Sequence, residues 1–137
     1  DIGILIVGYN TTFQRSSDLG RQMNQVFVGI PFGILRRKLK YLCEMNGIRY
    51  VEQEESYTSM ASFWDLDEMP VYGEAGLVPP VFSGRRICRG LYQDRSGRRI
   101  NADVNGALNI MRKCNIVSLR ALYDRGDVDT PVRIRIA

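Results

Sequence analysis

Histidine is missing from this chain of 137 residues. With it goes the commonest general base near neutral pH and the commonest nitrogen ligand for metals, so any chemistry falls to carboxylates, thiols or hydroxyls. Cysteine is scarce: Cys43, Cys88 and Cys114 are odd in number and lie far apart. That excludes a disulfide framework or a metal ribbon on spacing alone and makes reduced, cytosolic thiols the simplest account. No apolar run approaches the ~20 residues that span a bilayer, so no membrane partner is expected. A signal-peptide pattern, internal repeats and low-complexity segments are lacking too. So is a starting Met, and the opening residues "DIGILIVGYN" already have the composition of a buried strand; the expectation is a chain truncated at its N-terminus.

What is present bounds the rest. Apolar residues make up 45% of the chain, the composition of a soluble globular protein, and the length suffices for one domain with a real core. The 19 Lys and Arg against 15 Asp and Glu leave a net charge of +4. That favours an anionic partner such as nucleic acid, although an ordinary basic surface gives the same sum.

Residues 2–9, "IGILIVGY", are rich in Ile, Leu and Val without alternation, the pattern of a strand covered on both faces. Residues 10–26 have loop composition. Residues 30–47 predict a helix: Pro31 suits the first turn, Ile34, Leu35, Leu39 and Leu42 form an apolar stripe, and Gly47 after Asn46 fits a C′ stop. Residues 48–53, "IRYVEQ", predict a second strand. Strand, helix and strand of these lengths make a βαβ crossover, hence parallel strands in an α/β fold. Functional groups in such sheets gather at the carboxyl ends of the strands, here Gly8, Tyr9 and Asn10 on one strand and the acid cluster 52–55 on the other.

From 56 to 100 the pattern becomes an irregular, mainly β insert in which prolines and aromatics come together. "RRICRGLYQDRSGRRI" reads as a hairpin about Ser96 and Gly97. Residues 101–114, "NADVNGALNIMRKC", read as a helix with Asp103 at its front, flanked by Asn101 and Asn105. Residues 115–137 carry little pattern and read as a C-terminal tail, with "PVRIRIA" an edge strand or part of that tail.

The chemistry-bearing residues each have two readings. Asp103 either caps its helix, satisfying free N–H groups and the helix dipole, or joins carboxylates from strand ends to hold a pair of Mg2+ ions. Such a pair clamps a scissile phosphate and activates a water without histidine. Glu54 and Glu55 form either a solvated acidic loop or part of such a site, at most one of them entering it, since successive strand residues face opposite ways. Arg85, Arg86, Arg89, Arg95, Arg98, Arg99 and Lys113, with Phe82 and Tyr92 among them, form either a solvated basic hairpin or a surface for phosphates and stacked bases. Tyr57, Thr58 and Ser59 add hydroxyls that could bond phosphates.

Five stretches in one order over roughly residues 2–114 add a resemblance. "LIVGYN", "NQVFVGIPF", "LKYLCEMNGIRYVEQEESYTS", "FSGRRICRGLY" and "NADVNGALNI" resemble the C-terminal half of the TnpB/OrfB insertion-sequence proteins, relatives of type V CRISPR effectors. The resemblance implies a partial RuvC-like domain of RNase H fold at 1–55, a target-nucleic-acid-binding insert at 56–100, the last RuvC helix at 101–114 and a tail at 115–137. It implies a transposon-encoded, RNA-guided DNA endonuclease that uses Mg2+, with target DNA and a guide RNA as partners. Its implied place is the prokaryotic cytoplasm, on the nucleoid when bound to DNA.

By the same resemblance, Asp103 corresponds to the third catalytic carboxylate in the family's "D-x-N-x-A-x-N-I" helix. Asn105 and Asn109 correspond to its amides and join Tyr57, Thr58, Ser59, Arg85, Arg86, Arg89 and Tyr92 as nucleic-acid-binding candidates. The second acid usually ends the strand matched by "ILIVGYN", where Gly8 stands here. One branch of the family carries a glutamate at the end of the next strand instead. That gives the role to Glu54 or Glu55, with Glu54 preferred and paired with Asp103 as a Mg2+ ligand. The family's first catalytic Asp lies upstream of every residue here, so the isolated chain is expected to cut nothing. The alternative is a non-catalytic nucleic-acid-binding remnant or regulator. The family's insert is often a zinc ribbon. Ser62 and Asp65 occupy the first cysteine pair's places and Cys88 and Leu91 stand near the second's, so no structural zinc is expected. Phe63, Trp64, Tyr72, Phe82 and Tyr92 are expected to hold the insert instead, and small Gly106 and Ala107 to let the last helix pack closely.

Overall fold

The computed structural model describes residues 2–10, 31–73 and 80–125; most of the loop expected at 10–26 and the whole of "PVRIRIA" lie outside the described residues. The chain is mixed α/β and divides into two compact units, Asp1–Glu54 and Glu55–Ala137. No helix among the described residues is long and apolar enough to cross a membrane.

The first unit holds β1 (Ile4–Tyr9), α1 (Phe32–Met45) and β2 (Arg49–Glu54). β1 and β2 pair in parallel, with Gly8 opposite Gln53 and Tyr9 opposite Glu54, as the crossover expectation requires. β1 is half-buried along its length, not covered as its composition suggests. The Pro31 carbonyl starts α1 by accepting Ile34 N–H and Leu35 N–H at 2.9 and 3.0 Å. The helix ends in a Schellman arrangement. Gly47 takes φ +66°, its N–H donates to Glu44 O at 3.3 Å, and Ile48 N–H donates to Cys43 O at 2.8 Å.

The inward side of α1 differs from the predicted stripe. Phe32, Arg36 and Leu39 are half-buried and Cys43 is buried, a row at i, i+4, i+7 and i+11 on one helix face. Ile34, Leu35 and Leu42 keep 46%, 47% and 53% of their exposure. Arg36 accounts for the rotation: its guanidinium pairs with Glu52 at 3.1 Å and lies 5.6 Å from the Tyr9 ring centroid. The Tyr50 hydroxyl donates to the same Glu52 at 2.9 Å. Burial first, and then this bond to a carboxylate, push the Tyr50 phenol up to about 12.

The second unit holds β3 (Arg85–Cys88), β4 (Leu91–Gln93), β5 (Arg99–Asn101), α2 (Ala102–Cys114) and α3 (Arg120–Arg125). The strands form an antiparallel sheet in the order β3-β4-β5. The turn about Ser96 and Gly97 joins β4 to β5, closed by Asp94 N–H donating to Arg98 O at 3.0 Å. The stretch read as one hairpin is a three-stranded meander, because Gly90 at φ +79° makes a second turn that other residues resist.

Register sorts the sheet's two faces. Arg86, Tyr92 and Ile100 are mutual partners, as are Arg85, Gln93 and Arg99, so each set shares a face. Tyr92 and Ile100 face the core, which also holds Phe63, Ala102 and Leu108. Phe63 stacks on Tyr123 with ring centroids 4.9 Å apart, and Trp64 meets these rings edge-on at 5.1 and 5.6 Å. Leu119 and Leu122 pack there with Tyr123, so the first part of the expected tail closes the core. Gly106 and Ala107 do not serve close packing in the described residues: a Cβ at Gly106 would meet nothing within 4 Å, and Ala107 is exposed.

Candidate functional site

The opening of α2 separates capping from chemistry. Asn101 is the N-cap: its Oδ1 accepts Asp103 N–H at 2.9 Å and Val104 N–H at 3.1 Å. The helix therefore does not need the Asp103 side chain as a cap. The Asp103 carboxylate is exposed, and no hydrogen bond or ion pair engages it among the described residues. Its position in the first turn still sits well with the helix dipole.

Glu54 closes β2 and Glu55 opens the second unit; both are half-buried. Strand alternation distinguishes them. Tyr50 and Glu52, with Tyr9 across the pairing, are the residues that meet Arg36 of α1. Glu54, opposite Tyr9, continues that set on the α1 side of the sheet. Gly8 and its partner Gln53 belong to the other side, and Glu55 lies just beyond the paired strand. Within neither unit do three or more Asp, Glu or Cys side chains of the described residues gather as a metal-ligand group.

Immediately after Glu55 the chain makes a tight turn bound to α2. Thr58 is buried, with its N–H and Oγ1 donating to Glu55 O at 3.2 and 2.9 Å. Tyr57 takes φ +62°, a conformation costing a side-chain residue roughly 1–3 kcal/mol unless its surroundings impose it. A pair of amides holds the residues that follow Tyr57. Asn105 Nδ2 donates to Ala61 O at 2.8 Å and its Oδ1 accepts Phe63 N–H at 3.1 Å. Asn109 Nδ2 donates to Thr58 O at 2.9 Å and to Ala61 O at 2.7 Å.

Both amides have 0% exposure. Expected among the nucleic-acid contacts, they work inside the protein, fixing the 58–63 turn to the helix that carries Asp103. Tyr92 is likewise interior, at 1% exposure. Its hydroxyl donates to Met60 O at 2.8 Å, and burial, then the carboxylates of Asp67, Asp65 and Asp94, push it up to about 12. Of the remaining candidates, Tyr57 is half-buried, while Ser59, Arg85, Arg86 and Arg89 are exposed.

The positions resembling a zinc ribbon carry a different staple. Ser62 has 0% exposure; its Oγ accepts Asp65 N–H at 3.3 Å, and its N–H donates to Asp67 Oδ2 at 2.8 Å. The same Asp67 oxygen accepts Ser83 N–H at 2.9 Å, and Asp65 accepts Arg95 N–H at 3.0 Å. One exposed thiol, Cys88, and these engaged oxygens do not fit a zinc donor set. Burial alone would raise the Asp67 carboxyl, but hydrogen bonds from Ser83 and Ser62 and the charge of Arg112 outweigh it and hold it below its ordinary value. Phe63, Trp64 and Tyr92 hold the insert as expected, whereas Tyr72 is 69% exposed.

Two further contacts were missed in the sequence. Arg98 lies over the Trp64 ring, 3.8 Å from its centroid, and Lys113 Nζ donates to Ser56 O at 3.2 Å.

Compared with known protein families, residues 32–110 match the family described as Cas12f1-like, TNB domain. The match covers more than half of the chain and runs from the start of α1 through two-thirds of α2. The chain finds no match among curated proteins or among solved structures.

Proposed function

The chain belongs to the Cas12f1-like TNB-domain family, with a C-terminal target-nucleic-acid-binding region of the TnpB/Cas12f type, and from that premise we propose that it is the C-terminal part of an RNA-guided, transposon-encoded DNA endonuclease. In this reading the second unit binds the target strand. Asp103 and a glutamate at the end of β2 supply carboxylates to a RuvC-like site completed by an upstream Asp.

The observation that carries the catalytic part is the cap of α2. Asn101 bonds the free N–H groups, so the exposed Asp103 carboxylate is left for a ligand. Glu55 is preferred over Glu54 as its partner because Glu54, opposite Tyr9, continues the side of β2 that meets Arg36 of α1. These donors are all carboxylate oxygens, which suits a hard cation such as Mg2+. Bound there, Mg2+ would offset charge developing on a scissile phosphodiester and ease deprotonation of the attacking water. The protein's own contribution is rigidity. Asn101 fixes the first turn of α2, and Asn105 and Asn109 tie the segment after Glu55 to the same helix, so both acids sit on supported backbone.

The test is cleavage by the complete protein loaded with its guide RNA. Asp103→Ala and Glu55→Gln are expected to abolish cutting while target binding persists, and Glu54→Gln to retain it. Full cleavage by Asp103→Ala would sink the catalytic reading. Binding without cleavage by the unmodified complex would leave a non-catalytic nucleic-acid binder.

A further inference from the structure

The second unit carries a cleft that the acids and the amide clamp leave unexplained. The 82–85 segment (Phe82, Ser83, Gly84, Arg85) lines it together with Gln93 and the 94–97 turn, around a volume of about 570 Å³. The two linings are held at a fixed separation. A Cβ at Gly84 would fall 2.6 Å from Gln93 O, so only glycine allows the approach, and Arg95 Nη2 donates to Ser83 Oγ at 2.8 Å across it. The acid in the lining is already spent: Asp94 is buried, and its Oδ1 accepts Ser96 Oγ and Arg98 N–H, each at 2.8 Å. The exposed charged residues of the lining are Arg85 and Arg95. Arg85, Gln93 and Arg99 continue from it as a cross-strand row on the face opposite Tyr92. Phe82 connects the cleft to further aromatics, with Tyr57 at 5.8 Å and Tyr72 beyond it at 6.1 Å.

We propose that this cleft receives an unpaired base of a single-stranded nucleic acid. The base stacks on Phe82, the Gln93 side-chain oxygen meets its edge while Nε2 donates to Gly97 O at 3.0 Å, and flanking phosphates lie on Arg85 and Arg99. The inference rests on the nucleic-acid-binding reading and sharpens it. A surface for duplex needs only charge spaced along a groove, whereas an aromatic beside an amide in a recess between cations matches a base whose face and edge are both free. The volume lies within the ~300–1,000 Å³ of ordinary ligand sites.

The experiment is fluorescence anisotropy of the chain with a labelled single-stranded oligodeoxynucleotide of mixed sequence and with the same sequence as duplex, across a salt series. Phe82→Leu is expected to weaken single-strand binding by about 5- to 10-fold and duplex binding little. Arg85→Ala should weaken the single strand and reduce the slope of log affinity against log salt by about 0.7. Lys40→Ala, an exposed charge on α1, serves as the control for net charge.

Single-strand affinity unchanged in both cleft variants, or equal losses for duplex and single strand, would overturn the cleft assignment and leave nucleic-acid binding standing. Failure of the unmodified chain to bind either oligonucleotide would overturn both. If circular dichroism shows Phe82→Leu unfolded, the exposed Arg85→Ala and the half-buried Gln93→Ala carry the same decision.

Discussion

Asn105 and Asn109 look alike in sequence, but their surroundings predict different energetic weights. Replacing Asn105 by the similarly sized Leu removes two bonds with unequal consequences. Ala61 O keeps its bond from Asn109 Nδ2 at 2.7 Å, so that loss is an ordinary exchange worth about 1 kcal/mol. Phe63 N–H loses the partner it has at 3.1 Å inside a core where Phe63 has 0% exposure, and an orphaned buried donor costs about 1–3 kcal/mol. Asn105→Leu should therefore destabilise by about 2–4 kcal/mol, a large share of the ~5–15 kcal/mol of a typical domain.

Asn109→Leu leaves Thr58 O without its amide partner, at a similar cost. It also removes Asn109 Oδ1, which is itself buried without a partner among the described residues, and that relief offsets much of the loss. A net cost of about 1 kcal/mol follows. The double variant strips Ala61 O of both amide donors for the first time, so its cost should exceed the sum of the singles by about 1 kcal/mol. Urea unfolding of the chain followed by circular dichroism, with the slope checked for constancy, measures all three. Equal costs for the two single variants, or simple additivity, would refute the claim that the two amides share the Ala61 carbonyl and that, among the described residues, Asn105 alone serves the Phe63 N–H.

The two glycines beside these elements should respond oppositely to alanine: Gly106→Ala fills open space on a helix and should stabilise by about 0.5–1 kcal/mol, seen as a raised melting temperature. Gly84→Ala, which drives a Cβ to 2.6 Å from a backbone oxygen and 2.5 Å from Tyr92 Cε1, should destabilise by at least ~1–3 kcal/mol, and an unchanged melting temperature would contradict that contact. Asp67 should make stability acid-sensitive. Its carboxyl is held below its ordinary value, so its contribution is present above about pH 4 and disappears as pH falls through the depressed value. Asp67→Asn should flatten the stability–pH curve below about pH 4, and an unaltered slope there would show the carboxylate to be unimportant.

The parts of the fold legible in sequence were those set by local rules. Gly47 stopped α1 where a left-handed residue was needed, and the Ser96–Gly97 turn joined two strands. The parallel pairing of β1 and β2 followed from the length of chain between them. The rotation of α1 was not legible, because a count of apolar residues gives no weight to Arg36, and Arg36 turned inward to Glu52 and Tyr9. The helix of residues 120–125 was missed for its brevity, although Leu119, Leu122 and Tyr123 stand at i, i+3 and i+4.

The candidate site divides along the same line. The family resemblance put Asn105 and Asn109, and aromatic character among arginines put Tyr92, among the residues reaching outward to nucleic acid. Periodicity held the opposite signal: on α2 the buried positions are 102, 105, 108 and 109, so both asparagines lie on the apolar stripe, where an amide must be satisfied internally. The choice between Glu54 and Glu55 is of another kind. Two adjacent acids at a strand end carry no local mark of which way each faces, and propensity, charge and spacing are the same for both. The distinction arises only when β2 pairs with β1, because Gly8 opposite Gln53 fixes the parity of the strand. Arg36 on Glu52 then marks which parity belongs to α1. A residue's side in such a sheet is a property of two strands and a helix together, so the side that Glu54 takes follows from register and not from the run of letters in which it stands.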